Sequence, residues 1–259
     1  MTLEAQLRWA AETPFEGWDF SALRDRARFG EPTWSFTEVL RELIQPGVRS
    51  MLDVGTGGGE FLARFAPLPA LTVATEAWLT NVPIAAATLA KAAHVVQYSA
   101  PADNGKQWGG ESEPFLPFRD SVFDLVMARH ESYLPLEIAR VLRAGGVFAT
   151  QQLSGNLTAA VRGLFDRPPP KERSWDLDVA VAQVEAAGLR VERSAKAAAV
   201  YRFFDVGALV YWLRAVPWEL PDLHLEHDRP RLHKLHEQTT GGTPIDLPAT
   251  YLLVVACKP

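Results

Sequence analysis

The chain has 259 residues, 47% of them hydrophobic, enough to bury the core of one α/β domain with additions. Its formal net charge is -5, with 31 acidic against 26 basic residues and no cluster of Lys and Arg; this argues against RNA or DNA held through phosphate contacts. No charged-then-apolar leader opens the sequence and no apolar stretch is long enough to span a membrane, so the expectation is a cytoplasmic protein with no membrane partner, monomer or homodimer.

The elements can be taken in chain order. Residues 1–44 precede the first core strand and carry Trp9, Phe15, Trp18, Phe20, Phe29, Trp34 and Phe36, an aromatic density that predicts a packed cap segment. MLDVGTGGGEFLARF, Met51 to Phe65, then reads as a buried strand, a glycine-rich turn and a helix. A sharp turn at a strand's carboxyl end is where open α/β sheets bind nucleotide-like ligands. Asp53 puts a carboxylate at the strand end. Gly55, Gly57, Gly58 and Gly59 allow backbone angles closed to other residues and let a ligand approach the main chain.

A dinucleotide fingerprint requires a third glycine at position 60, and that position is Glu60. A carboxylate there repels a pyrophosphate, which disfavours a nicotinamide-dependent oxidoreductase. LTVATEA, Leu71 to Ala77, is a second strand ending in Glu76, 23 residues after Asp53, the spacing at which a carboxylate accepts bonds from ribose hydroxyls. HVVQYSA, His94 to Ala100, is a third strand. Asp103 follows it closely, and Asn104 to Glu113 reads as an insertion. A fourth strand lies at Phe123 to Ala128. EIARVLRAGGVFATQQ, Glu137 to Gln152, gives a helix, a Gly145–Gly146 stop and a fifth strand.

The run Asp53-Val-Gly55-Thr-Gly57-Gly-Gly59, with LPF…FDLV…EIARVLRAGGVF behind it, resembles the motifs of the class I methyltransferases that use S-adenosylmethionine (SAM). The likeness covers residues 45 to 155 with its parts in the right order. PFEGWDF, RHES, the Gln151–Gln152 pair and FFDVGALVYWLRAVPW extend it, nearly along the whole chain, to a bacterial type-11 group of mostly unassigned substrate. The resemblance implies a Rossmann-like seven-stranded sheet with helices on both faces. It also implies SAM as cofactor, contacted by Asp53, Gly55, Thr56, Gly57, Gly59, Glu76 and Arg129. For the acidic residue that meets adenine the sequence offers Asp103, either in that role or as a solvated turn residue.

Beyond the fifth strand, FDRPPPKERS is a connector, and SWDLDVAVAQVEAAGL is a helix capped by Ser174 or Asp176 and stopped at Gly188. LRVERSAKAAAVYRF supplies a sixth strand and ATYLLVVACK a seventh. The domain reading is therefore a cap at 1–44, a SAM-binding core at 45–200 and 250–259, and a helical insertion at 201–249. Cap and insertion together form an expected lid over the acceptor pocket, with Trp18, Trp34, Gln151 and Tyr211 as substrate-binding candidates.

ARHES, Ala128 to Ser132, lies just past the fourth strand, beside the methyl-transfer position. His130 is the candidate base, with Glu131 as partner or second choice. Arg129 has two alternatives to its cofactor role, binding an acidic substrate group or pairing with Glu131. Asn156 is a further polar candidate. His224, His227, His233 and His236 have metal-compatible spacing, but no cysteine accompanies them and a leucine stripe does, so a solvated amphipathic segment is expected and no metal. Cys257, the single cysteine, reads as a buried thiol. The sequence thus points to a SAM-dependent methyltransferase for a small-molecule O or N acceptor. The alternatives are an RNA methyltransferase, disfavoured by charge, and a SAM-binding regulatory protein without turnover.

Overall fold

A computed structural model of the protein describes residues 1–98, 116–170 and 175–259. Among these residues the elements in chain order are α1 (Leu3–Glu12), β1 (Ala27–Phe29), α2 (Phe36–Leu43), β2 (Ser50–Val54), α3 (Glu60–Ala63), β3 (Leu71–Glu76), α4 (Val82–Thr88), β4 (His94–Gln97) and β5 (Phe123–Arg129). They continue with α5 (Pro135–Val141), β6 (Leu142–Leu153), α6 (Asn156–Leu164), α7 (Leu177–Ala186), β7 (Arg190–Phe203), α8 (Val206–Ala215), α9 (Arg229–Thr240) and β8 (Ile245–Cys257). The strand order is β1-β7-β8-β6-β5-β2-β3-β4. The chain forms two compact units, a larger one of residues 33–153, 175–196 and 251–259 and a smaller one of residues 1–32, 154–174 and 197–250.

In the larger unit β4, β3, β2, β5 and β6 are parallel and β8 is antiparallel to β6. Parallel strands are buried on both faces, and the alternation of side chains makes two separate cores. Leu52, Val54, Val126, Ala128, Phe148, Leu252 and Val254 point to one face, where they meet Ile138 and Val141 of α5 and Ala180 and Val184 of α7. Met51, Leu125, Met127, Ala149, Leu253 and Val255 point to the other, against Phe36, Val39 and Leu40 of α2 and Leu62 of α3. The β2–β5 register is pinned at its start. Asp124 Oδ2 accepts from the Arg49 and Ser50 amides, each at 2.9 Å, and from Ser50 Oγ at 2.8 Å. Strand order reverses between β2 and β5, because β3 and β4 continue to one side and β6 to the other. Ligands of open α/β sheets bind outside the strand ends at such a reversal. The ends of β2, β3, β5 and β6 there carry the glycine turn, Glu76, Arg129 and Gln151.

The smaller unit is organised around α8. Asp205 caps that helix by accepting from Ala208 N at 2.9 Å, and the same carboxylate accepts from Arg26 Nε at 2.8 Å. The Arg26 guanidinium in turn lies 3.5 Å above the Trp9 ring of α1. One ion pair thus joins a helix start, a strand neighbour and an aromatic cluster. Among the described residues no helix is long and apolar enough to cross a membrane.

The sheet has eight strands, not the expected seven. The extra one is β1, inside the aromatic leading segment, paired antiparallel with β7 through Ala27↔Phe203 and Phe29↔Tyr201. Phe29 stacks edge-on to Tyr201 and Phe203 at 4.8 and 5.9 Å, and that packing makes a strand of three residues whose alternation is too short to read. The expected helix stop at Gly145–Gly146 falls inside β6 instead. Gly145, at φ +75°, sits where the β5–β6 register shifts. Of the two caps considered for α7, Asp176 caps it, accepting from Val179 N at 3.0 Å; Ser174 lies outside the described residues. Cys257 is half-buried rather than buried, within 3.2 Å of Glu192 and of Arg190.

Phe148 is fully buried against Tyr133, ring centroids 4.9 Å apart. Phe148→Ala is expected to destabilise the protein by about 3–5 kcal/mol, read from urea unfolding, because the void lies between rigid strands and helices.

Candidate active site

The glycine turn after β2 is built from backbone that only glycine adopts readily. Gly55, Gly57 and Gly59 have φ of +74°, +63° and +85°. The turn is tied to β3 by the main chain and two side chains. Thr56 N donates to Thr75 O at 2.8 Å, Gly55 N to Thr75 Oγ1 at 3.2 Å and Gly57 N to Glu76 Oε2 at 2.7 Å. Glu76 Oε1 accepts from Trp78 N at 2.8 Å. The Asn81 side chain and the Ala77 backbone N–H also donate to this carboxylate, so Glu76 is anchored at the tip of β3 beside the turn.

Three carboxyl groups converge here. Asp53 is 2% exposed, and burial pushes its pKa up to about 7; Arg129, and the Thr56 hydroxyl just outside hydrogen-bond geometry, pull the other way, while Glu76 adds to the rise. Burial also raises Glu76. Glu131 folds back over Gly55, so closely that a Cβ on Gly55 would lie 2.2 Å from Glu131 Cγ. Burial lifts the Glu131 pKa to about 7 against bonds from Ser132 N and Oγ at 2.9 and 3.2 Å, and Glu76 again adds to the rise. Thr56 Oγ1 is buried with no hydrogen-bond partner among the described residues. Glu60 projects its carboxyl over Gly58. A turn ringed by carboxylates repels a phosphate and suits a ligand bearing cationic groups and hydroxyls. SAM carries both, so the donor set fits it.

Arg129 ends β5 and His130 follows it. The Arg129 guanidinium lies over the Phe61 ring at 4.4 Å. His130 is solvent-accessible and has φ +59°, rare for a side-chain-bearing residue, with its amide donating to Gln151 O at 2.9 Å. The surrounding protein, and then the Arg129 charge, hold its imidazole below the usual value. Gln151 is buried between Trp34, whose Nε1 donates to Oε1 at 2.9 Å, and His130 Nε2, 3.2 Å from the amide nitrogen. Gln152 holds the next residue, donating to Glu131 O at 2.9 Å.

The larger unit therefore brings together Asp53, Gly55, Thr56, Gly57, Gly59, Glu76, Arg129, His130, Glu131, Gln151 and Trp34. Trp18 and Tyr211 belong to the smaller unit. Trp18 packs on Phe15, Phe20 and Trp218. Tyr211 is 1% exposed and its hydroxyl donates to Pro14 O at 3.0 Å. Asn156, also in the smaller unit, donates to Thr250 Oγ1 at 3.1 Å. Asp103 lies outside the described residues. Sequence reasoning missed Thr75, Ser132 and the anchoring role of Gln152. Short polar side chains that act by holding a backbone carry no motif of their own.

No protein-family model matches the chain, and no curated protein does. Solved structures do. A candidate methyltransferase from Bacillus halodurans is 18% identical, with 87% of this chain and 99% of that one covered and a TM-score of 0.60. A protein of unknown function from Deinococcus radiodurans is 18% identical over 90% of this chain and 91% of that one, TM-score 0.54. The fold is that of the class I SAM-dependent methyltransferases. At 17% identity the methyltransferase fold is also shared with the cyclase SpnF, over 99% of this chain and 92% of that one, TM-score 0.51. At these identities the likeness fixes the architecture and leaves the reaction to the site.

Two outcomes test the site. Asp53 keeps its proton to higher pH when folded than when unfolded, about 7 against 3.8. Its contribution to stability is full below about pH 4 and is lost as pH rises through about 7. Asp53→Asn is accordingly expected to stabilise the ligand-free protein by about 2–4 kcal/mol near pH 8, with the gain vanishing towards pH 4 in thermal melts across that range. Gly55→Ala is expected to displace Glu131 and weaken SAM binding by at least about tenfold, since both φ and space oppose the methyl. Gly145→Ala, at φ +75° with nothing within 4 Å, carries the backbone strain alone and should leave SAM affinity unchanged in calorimetry.

Proposed function

We propose that the protein is a SAM-dependent methyltransferase acting on a small-molecule acceptor through oxygen or nitrogen. The observation that carries this reading is the glycine turn at the strand reversal, ringed by Asp53, Glu76 and Glu131. SAM, when bound, supplies an electrophilic methyl group on a sulfonium. The chain's residues supply the rest. Glu76 sits at the tip of β3, where a carboxylate meets ribose hydroxyls, and the main chain of Gly55 to Gly59 lets a ligand lie against it. The carboxylates favour positive charge beside them.

An acceptor ammonium must lose a proton before its lone pair can take the methyl, and an acceptor hydroxyl must give up its proton in the course of the transfer. Glu131, with a pKa of about 7, is matched to that task near neutral pH, so the base role moves from His130 to Glu131. His130 is a weak base by comparison, and its Nε2 lone pair is already engaged by Gln151. Alignment of acceptor and donor, with water kept away, is the larger share of the catalysis. The net charge of -5 and the carboxylate ring both disfavour a polyanionic RNA acceptor.

Calorimetric titration with SAM, S-adenosylhomocysteine and NAD tests the reading. Micromolar binding of the first two and none of NAD is the expected result. Absence of SAM binding overturns the cofactor assignment. SAM binding without methyl transfer to any of a panel of small hydroxy and amino compounds favours a binding protein, or a reaction of another kind on this fold.

A further inference from the structure

Three side chains in the larger unit settle which nitrogen of His130 carries the proton. The Trp34 indole nitrogen is a donor only. At 2.9 Å from Gln151 it identifies the atom facing it as the amide oxygen, Oε1. The amide nitrogen must then face His130 Nε2, at 3.2 Å. An amide nitrogen gives hydrogens and accepts none, so His130 Nε2 is the acceptor and the proton of the neutral ring sits on Nδ1. An imidazolium would set N–H against N–H, and the neighbouring Arg129 guanidinium opposes it further. The ring is held by more than this bond. Tyr251 lies 5.8 Å away at 67°, and the backbone keeps a left-handed φ of +59° that costs about 1 kcal/mol unless the surroundings demand it.

We propose that His130 is a hydrogen-bond donor rather than a base. Its Nδ1–H receives a carbonyl or carboxylate oxygen of the methyl acceptor, and Gln151 and Trp34 are the positioning residues that fix the tautomer. This rests on the methyl-transfer reading. The bonded oxygen is a neighbour of the atom that is methylated, because a donor placed on the attacking atom would hold the lone pair that must reach the methyl group. The acceptor class follows: a small molecule with a carbonyl or carboxylate beside a hydroxyl or amine. Glu131 then takes the proton while His130 holds the adjacent oxygen.

Long-range proton–nitrogen spectra of the histidine rings test this on the full 15N-labelled chain, with the His130 signals assigned by their loss in His130→Gln. The spectra need no SAM, so failure of SAM binding and failure of the relay are told apart. The wild type is expected to show the Nδ1–H tautomer through pH 6–8, about one unit either side of neutral. Gln151→Glu can only accept, so it is expected to move the proton to Nε2 and raise the His130 pKa by about one unit or more. Trp34→Phe frees the amide to turn and is expected to give a mixture of tautomers. An Nε2–H tautomer in the wild type, which needs no variant to fold, overturns the relay, as does an unchanged spectrum in Gln151→Glu. With S-adenosylhomocysteine present, salicylate, anthranilate and glycine are then added against phenol and aniline. A shift of the Nδ1 proton with a carboxylate-bearing probe alone supports the acceptor class; no response to any of the three, or an equal response to phenol, overturns it.

Discussion

Burial of three carboxyl groups around one turn is the constraint on which the site depends. Asp53, Glu76 and Glu131 all titrate above their ordinary range because protein has replaced their water. Such groups are costly unless hydrogen bonds replace the lost hydration. The turn supplies part of that replacement. Gly57 and Trp78 donate to Glu76, and Ser132 donates to Glu131. Glycine is required at Gly55 because the Glu131 side chain occupies the place a methyl group would take.

The parallel sheet delivers these groups to one place. Strand register is fixed far from the site, where Asp124 binds the first residues of β2, and two-sided burial leaves the strands little freedom to slip. Because β2, β3, β5 and β6 run the same way, their carboxyl ends share an edge. Glu76, Arg129 and Gln151 then come within reach of the same turn although they are far apart in the chain. The next residues after β5, His130 and Glu131, are held by the backbone and side chains of Gln151 and Gln152.

Architecture alone does not choose the chemistry. The same fold occurs in a cyclase as well as in a candidate methyltransferase. What separates the possibilities is the proton inventory at the strand ends. Under the proposed reading, base and donor fall to different residues by their surroundings rather than by their type: Glu131 has a pKa near neutrality and His130 Nε2 faces the Gln151 amide nitrogen.

The sequence by itself determined the glycine turn, the carboxylates at the ends of the first two core strands, the order of the five strands from Met51 through Gln152, and the helical character of residues 206–240. Each of these is written in local pattern: glycine where φ must be positive, apolar runs for buried strands, 3.6-residue periodicity for helices. Tertiary structure alone decided the rest. β1 exists because Phe29 finds Tyr201 and Phe203 across the sheet, and the Tyr211 hydroxyl donates to Pro14 O. His130 reads as a candidate base in sequence, and in the fold its Nε2 faces the Gln151 amide nitrogen. The deciding partners, Gln151 and Trp34, lie 21 residues from His130 and 117 residues from Gln151 respectively, so the bond that sets its proton forms only when β5, β6 and the residues before α2 are packed together.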